Sequence, residues 1–161
     1  MPSRPLALLA RAAVPSTHQV PGGDVLTEND IVLAVERHFT ARGYTIHQVK
    51  QTTEQGTDVV AENAAEAWYV EAKGATSSKH YTRRFGKPFT LNQINSHVSR
   101  AVFTAMTVLD DSPAGERTRA ALALPDDHGH RAMVGRIAHS LERIGVRILW
   151  VRSDGTVLGV A

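Results

Sequence analysis

The hydrophobic period of this chain switches from helical to alternating and back, and that switching limits what it can fold into more than any other feature. Ile31, Val32, Val35 and Phe39 recur at helical spacing behind Thr27-Glu28-Asn29-Asp30, a capping box with Asp in place of Glu. Gly43 is a natural stop, so a helix is expected over 28–42. Three short strands are expected next: Tyr44 to Lys50, which alternates, Asp58 to Glu62, and Ala67 to Lys73, which is rich in β-formers. After a polar loop over 74–89, Leu91 to Val108 is helical, with Ile94, Val98, Ala101, Val102 and Ala105 on one face. Arg119 to Leu124 is a strand ended by Pro125, His130 to Ile144 a helix stopped by Gly145, and Val146 to Val151 a buried strand. Asp154-Gly155 is a tight turn before a short edge strand at Thr156 to Val160. The order α-β-β-β-α-β-α-β, hairpins first and β-α-β later, implies an α/β chain with a central mixed β-sheet flanked by helices.

The chain's 161 residues suit one domain, expected over 25–161, preceded by a flexible N-terminal arm over 1–24. Arg11 interrupts the apolar stretch Leu6 to Ala10, which disfavours a secretory leader, and Pro15, Pro21, Gly22 and Gly23 break regular structure. No apolar run reaches the roughly 18 residues of a membrane-spanning helix, so no membrane partner is expected. There is no cysteine. This excludes a disulfide scaffold, a thiolate zinc site and a cysteine nucleophile, and it fits a reducing, cytoplasmic location.

The chemistry-bearing residues cluster in Gly56-Thr57-Asp58 and Val70-Glu71-Ala72-Lys73-Gly74. A two-residue turn at Ala64-Ala65 pairs Glu62 with Ala67, and the same register sets Asp58 opposite Glu71. Lys73, two residues on, shares the face of Glu71. Two carboxylates this close repel unless a positive charge lies between them. A hard divalent cation with oxygen ligands supplies that charge; Mg²⁺ takes one or two carboxylates plus substrate phosphate. The neighbouring lysine can orient a bound water and hold the phosphate.

Asp58 … Glu71-x-Lys73 resembles the PD-(D/E)xK, or restriction-endonuclease-like, nuclease superfamily, whose α-β-β-β-α-β core matches the order over 28–124. The chain departs from that pattern in having no proline before the aspartate. The resemblance implies a restriction-endonuclease-like fold and a metal-dependent hydrolase of DNA phosphodiester bonds, acting in repair, junction processing or defence. It implies that Asp58, Glu71 and the Ala72 carbonyl hold Mg²⁺ or Mn²⁺ and that Lys73 assists the attacking water. It also implies a first-helix carboxylate near the metal, either Glu36 or Glu28, and a glutamine on the helix after the third strand. Gln93, with His97 one turn later, fits that last description.

Charge distribution gives a second, independent signal. Gly74 through Arg100 holds no acidic residue and carries Lys79, Arg83, Arg84, Lys87 and Arg100, with His97 beside them. The segment is thus +5 in a chain of net +2, which leaves the remainder at −3. Tyr81, Phe85 and Phe89 interleave, so the segment is expected to contact nucleic acid, phosphates through the cations and unpaired bases through the rings. Cutting both strands needs two sites, which fits a homodimer, and a larger nuclease or defence complex is the other assembly compatible with the resemblance. Two other readings stay open: a non-catalytic nucleic-acid-binding or scaffold module on the same fold, and an RNA-processing nuclease.

Other polar groups have simpler expectations. Asp126-Asp127 should cap the helix that follows, and His128 and His130 should lie in a solvated loop. Trp68 and Trp150 should be core, with Arg131 among the arginines that reach over the sheet.

Overall fold

A computed structural model describes residues 25–50, 57–79, 81, 83, 85–112 and 117–159. The expected arm over 1–24, together with Gly56 and Arg84, lies outside the described residues. The elements run α1 (Glu28–Thr40), β1 (Thr45–Val49), β2 (Val59–Glu62), β3 (Ala67–Ala72), α2 (Leu91–Asp110), β4 (Thr118–Pro125), α3 (His128–Gly135), α4 (Ala138–Arg143), β5 (Val146–Val151) and β6 (Val157–Leu158). They form an α/β architecture: an open, mixed, six-stranded sheet in the order β1-β2-β3-β4-β5-β6, flanked by helices. The first three strands are antiparallel neighbours, β3, β4 and β5 are parallel, and β6 turns back antiparallel on β5. Each parallel step needs a crossover, supplied by α2 and then by α3 with α4.

The helices cover both faces. Ile31, Val35 and Phe39 of α1 pack with Val59, Val70, Ala72, Ala121, Ala123 and Leu149 on one side of the sheet. Ile94, Val98, Ala101 and Ala105 of α2 pack with Ala120, Leu122, Leu124 and Val146 on the other, joined by Val134 and Leu141. Strand β4 is therefore buried on both faces from Ala120 to Leu124, which is why it reads as an unbroken apolar run. Among the described residues no helix is long and apolar enough to cross a membrane.

The α1 start is the expected capping box: the Thr27 hydroxyl accepts from the Asp30 amide, and the Asp30 carboxylate accepts from the Thr27 amide at 2.8 Å. The hairpin between β2 and β3 keeps the expected register, Glu62 opposite Ala67 and Val59 opposite Val70. Ala-Ala is a poor turn pair, but Asn63 makes the turn: its side-chain oxygen accepts from the Ala65 and Glu66 amides at 2.8 and 2.9 Å.

Two expectations are corrected. The helix expected over 130–144 is two helices. Asp127 caps the first two residues earlier than expected, Gly135 ends it, and Ile137 leaves helical geometry at φ −125°, ψ 2°. The bend lets both Val134 and Leu141 bury against the sheet. Neither His128 nor His130 is in a loop: His128 is the exposed first residue of α3. His130 is not solvated. It is fully buried in the first turn of α3, its Nδ1 2.8 Å from the Asp127 carboxylate. That partner satisfies one ring nitrogen, while Nε2 is buried without a hydrogen-bond partner among the described residues. Trp68 is buried as expected, and Trp150 is half-buried beneath the Arg131 guanidinium, 4.1 Å from its ring centre.

Candidate active site

The C-terminal end of β3 carries the densest group of charges. The ladder of the hairpin ends at Val59 opposite Val70, and Asp58 is the residue immediately before Val59, beside the end of β3. The Asp58 carboxylate accepts a 2.7 Å hydrogen bond from the Ala72 amide and lies 4.0 Å from Lys73 Nζ. Lys73 Nζ also donates to Glu71 Oε1 at 2.7 Å and to the Ala72 carbonyl at 2.8 Å. A third carboxylate, Glu28, comes within 3.7 Å of the same ammonium from the first turn of α1. Asp58, Glu71 and Lys73 are thus brought together, and of the two first-helix candidates only Glu28 joins them. Glu36, about two turns further along α1, lies instead in a shallow groove with Leu33, Arg37 and Thr40.

Gly74 explains how α1 reaches this place. A Cβ there would stand 2.4 Å from the Glu28 backbone nitrogen and 2.7 Å from the Thr27 carbonyl carbon. Only glycine lets the two backbones approach so closely. The segment after Gly74 is then tied to the start of α1: the Ala75 amide donates to the Leu26 carbonyl at 2.8 Å, and Thr76 bridges Thr27.

Three carboxylates around one ammonium leave a formal excess of two negative charges when all are ionised. Burial, with the neighbouring Glu71 charge next, pushes the Asp58 carboxyl up to about 7. Burial also raises Glu28, and the Lys73 charge only partly offsets it. For Lys73 burial opposes the charge, but Glu28, Glu71 and Asp58 together outweigh it and hold its pKa above the ordinary lysine value. Lys73 is therefore an ammonium at neutral pH, a hydrogen-bond donor rather than a base.

The donor set suits a hard cation. All the ligating atoms are oxygens, and Glu71 Oε2 is buried with no hydrogen-bond partner among the described residues. Asp58, Glu71 and Glu28 are the side chains that could hold a divalent ion. The Ala72 carbonyl already accepts from Lys73, so it offers its remaining lone pair. Among the described residues no three His, Cys, Asp or Glu side chains form a ready-made metal cage; the Lys73 ammonium lies among the carboxylates instead.

The cluster opens into a cleft of about 660 Å³, with Glu28, Glu71 and Lys73 on one side and His97, Arg100 and Phe103 of α2 on the other. His97 packs edge-on to Phe89, ring centres 4.6 Å apart. Burial, and then the charge of Lys73, holds its imidazole below the ordinary histidine value, so it enters the cleft neutral. Phe89 is thus engaged against α2 rather than presented to solvent. Gln93 does not line the cleft. Its side-chain oxygen accepts from the Thr90 amide at 3.0 Å, and its own amide donates to the Thr90 hydroxyl. Thr90-x-x-Gln93 is a capping box, a signature that the sequence reading of Gln93 did not take into account.

The basic loop begins directly after Lys73 and closes where the Phe89 amide donates to the Ala75 carbonyl at 2.8 Å. Lys79, Arg83 and Lys87 are exposed on it, as are Tyr81 and Phe85; among the described residues of the predicted cationic set, Arg100 alone of the arginines and lysines lines the cleft. Phe103 was missed by sequence reasoning, although it falls on the polar side of α2, where a large apolar residue needs a reason. A second cleft, of about 610 Å³, is lined by Leu26, Phe89, Leu91, Ile94, Pro125 and Asp127 among others and contains none of the predicted site residues. No family model matches this chain, and no curated protein matches it.

Proposed function

We propose that this protein is a metal-dependent nuclease of the restriction-endonuclease-like kind, hydrolysing DNA phosphodiester bonds. The observation that carries the reading is the convergence of Asp58, Glu71 and Glu28 on Lys73, with a buried carboxylate oxygen of Glu71 left without a partner. Asp58, Glu71 and Glu28 would hold Mg²⁺ or Mn²⁺. When bound, such an ion supplies charge neutralisation at the phosphate and a water more acidic than bulk water. Lys73 donates to the attacking water or to a non-bridging phosphate oxygen, where negative charge develops. It is rigidly placed for this by its bonds to Glu71 and to the Ala72 carbonyl. Arg100, exposed on the facing wall, binds a neighbouring phosphate. Lys79, Arg83 and Lys87 add longer-range attraction for the backbone.

The test is cleavage of supercoiled, linear, single-stranded and branched DNA, and of matched RNA, with Mg²⁺, Mn²⁺ or EDTA. Cutting in either metal is expected, with none in EDTA. Lys73→Ala should lower the rate by about a hundredfold or more, the scale of losing one donor to developing charge. Preference for RNA would change the substrate class. Binding that persists in EDTA and after Glu71→Ala, with no cutting of any substrate, would make the protein a binding or scaffold module.

A further inference from the structure

The wall of the cleft opposite the carboxylates has a composition that catalysis alone does not require. Phe103 is 74% exposed, the most exposed phenylalanine among the described residues. It stands about 200° around α2 from the buried Ala101 and Ala105, so it contributes nothing to the core. Arg100 lies one turn before it on the same wall, within reach as an i, i+3 neighbour. Thr104 turns its hydroxyl back to the Arg100 carbonyl at 3.2 Å, so the large outward-facing groups of this wall are an arginine and an aromatic ring, with the small Ser99 beside them.

A guanidinium beside an exposed ring, facing a cluster that suits a metal and a phosphate, matches one nucleotide: the phosphate on the arginine and the base on the ring. Inside a duplex both faces of each base are covered by its neighbours, so the ring finds a face only on an unpaired or terminal base. A protein partner fits less well, because its interface would have to desolvate Arg100, Lys73 and Glu71 along with Phe103. Resting on the nuclease reading above, we propose that Phe103 and Arg100 select an unpaired nucleotide next to the scissile bond, so that the substrate is a single strand, an overhang or a flap rather than the interior of a duplex.

The test uses the full-length protein and separates this inference from the reading it rests on. Binding of a fluorescent single strand, and of the same sequence as a blunt duplex, is measured in EDTA; cleavage of both is measured with Mn²⁺. The wild type should bind and cut the single strand in preference. Phe103→Ala should weaken single-strand binding about tenfold with an unchanged thermal midpoint, and Phe103→Trp should restore it. Met106→Ala, an exposed neighbour outside the cleft, should change nothing. Metal-dependent cutting with equal single-strand affinity in wild type and Phe103→Ala would overturn the inference and leave the nuclease. The expected binding pattern without cutting of any substrate would overturn the nuclease and leave the nucleotide wall. Self-association lost in both Phe103→Ala and Met106→Ala, with nucleic-acid affinity unchanged, would assign the face to a protein contact and overturn the inference.

Discussion

Two groups of carboxylates sit at the C-terminal ends of neighbouring parallel strands, and their surroundings tune them in opposite directions. After β4, Asp126 takes the guanidinium of Arg131 at 2.7 Å and that of Arg152 at 3.7 Å, and Asp127 takes the ring of His130. The Arg131 hydrogen bond holds Asp126 below the ordinary value. Burial works against Asp127, but its bonds to the His130 ring and backbone prevail and lower it as well. After β3, three carboxylates share one ammonium, and Asp58 and Glu28 are raised. The same residue types thus form a balanced structural cap on one strand and an overcharged cluster on the next. A surplus of buried negative charge is a standing cost to the fold, which makes it a better mark of function than any single ion pair.

The contrast has a pH signature. Asp58 binds a proton in the folded state that the unfolded chain releases near 4, so metal-free stability should fall as pH rises from about 4 to about 7. Asp126 and Asp127, whose values are lowered, contribute stability above the ordinary aspartate value and lose it as pH falls below. The largest expected effect is therefore from Asp58→Asn. In EDTA at pH 8 it should stabilise the protein by about 2–4 kcal/mol, with little change at pH 4. Urea unfolding at the two pH values checks this, and destabilisation at pH 8 would break the contrast. Asp127→Ala should do the reverse, costing about 2–3 kcal/mol through the lost cap and an unpartnered buried imidazole. Metal-dependent cleavage measured below the melting transition should survive that substitution, and loss of cleavage in a folded Asp127→Ala protein would show that the second group is not merely structural. Gly74→Ala should cost about 1–3 kcal/mol by forcing α1 away from β3. It should also reduce cleavage by withdrawing Glu28, and cleavage unchanged beside a lowered melting point would remove Glu28 from the site.

How much of this was legible in the sequence depended on how local the physics was. Asp58, Glu71 and Lys73 could be aligned because a strand has a period of two and a short hairpin has few registers, and Asn63 holds the one that was expected. The sheet of β-hairpins followed by parallel strands was legible for the same reason. Glu28 could not be told from Glu36, since the choice turns on how closely α1 approaches Gly74, a long-range contact. Gln93 was ambiguous in a different way: one pattern serves both a site and a capping box, and here the cap uses the side chain. His130 was misjudged because a histidine near a turn reads as solvated until its aspartate partner is placed. Phe103 needed the helical wheel of α2 read for its polar side as well as its apolar one.

The central claim is that the cluster after β3 is overcharged because it takes a divalent cation, and Mn²⁺ titration followed by calorimetry at pH 8 tests it most directly. The account predicts binding by the wild type that is lost in Glu71→Gln, retained in Asp127→Asn, and weakened as pH falls below about 7, where Asp58 takes up its proton. Absence of Mn²⁺ binding in the wild type, or binding indifferent to Glu71→Gln, would contradict it.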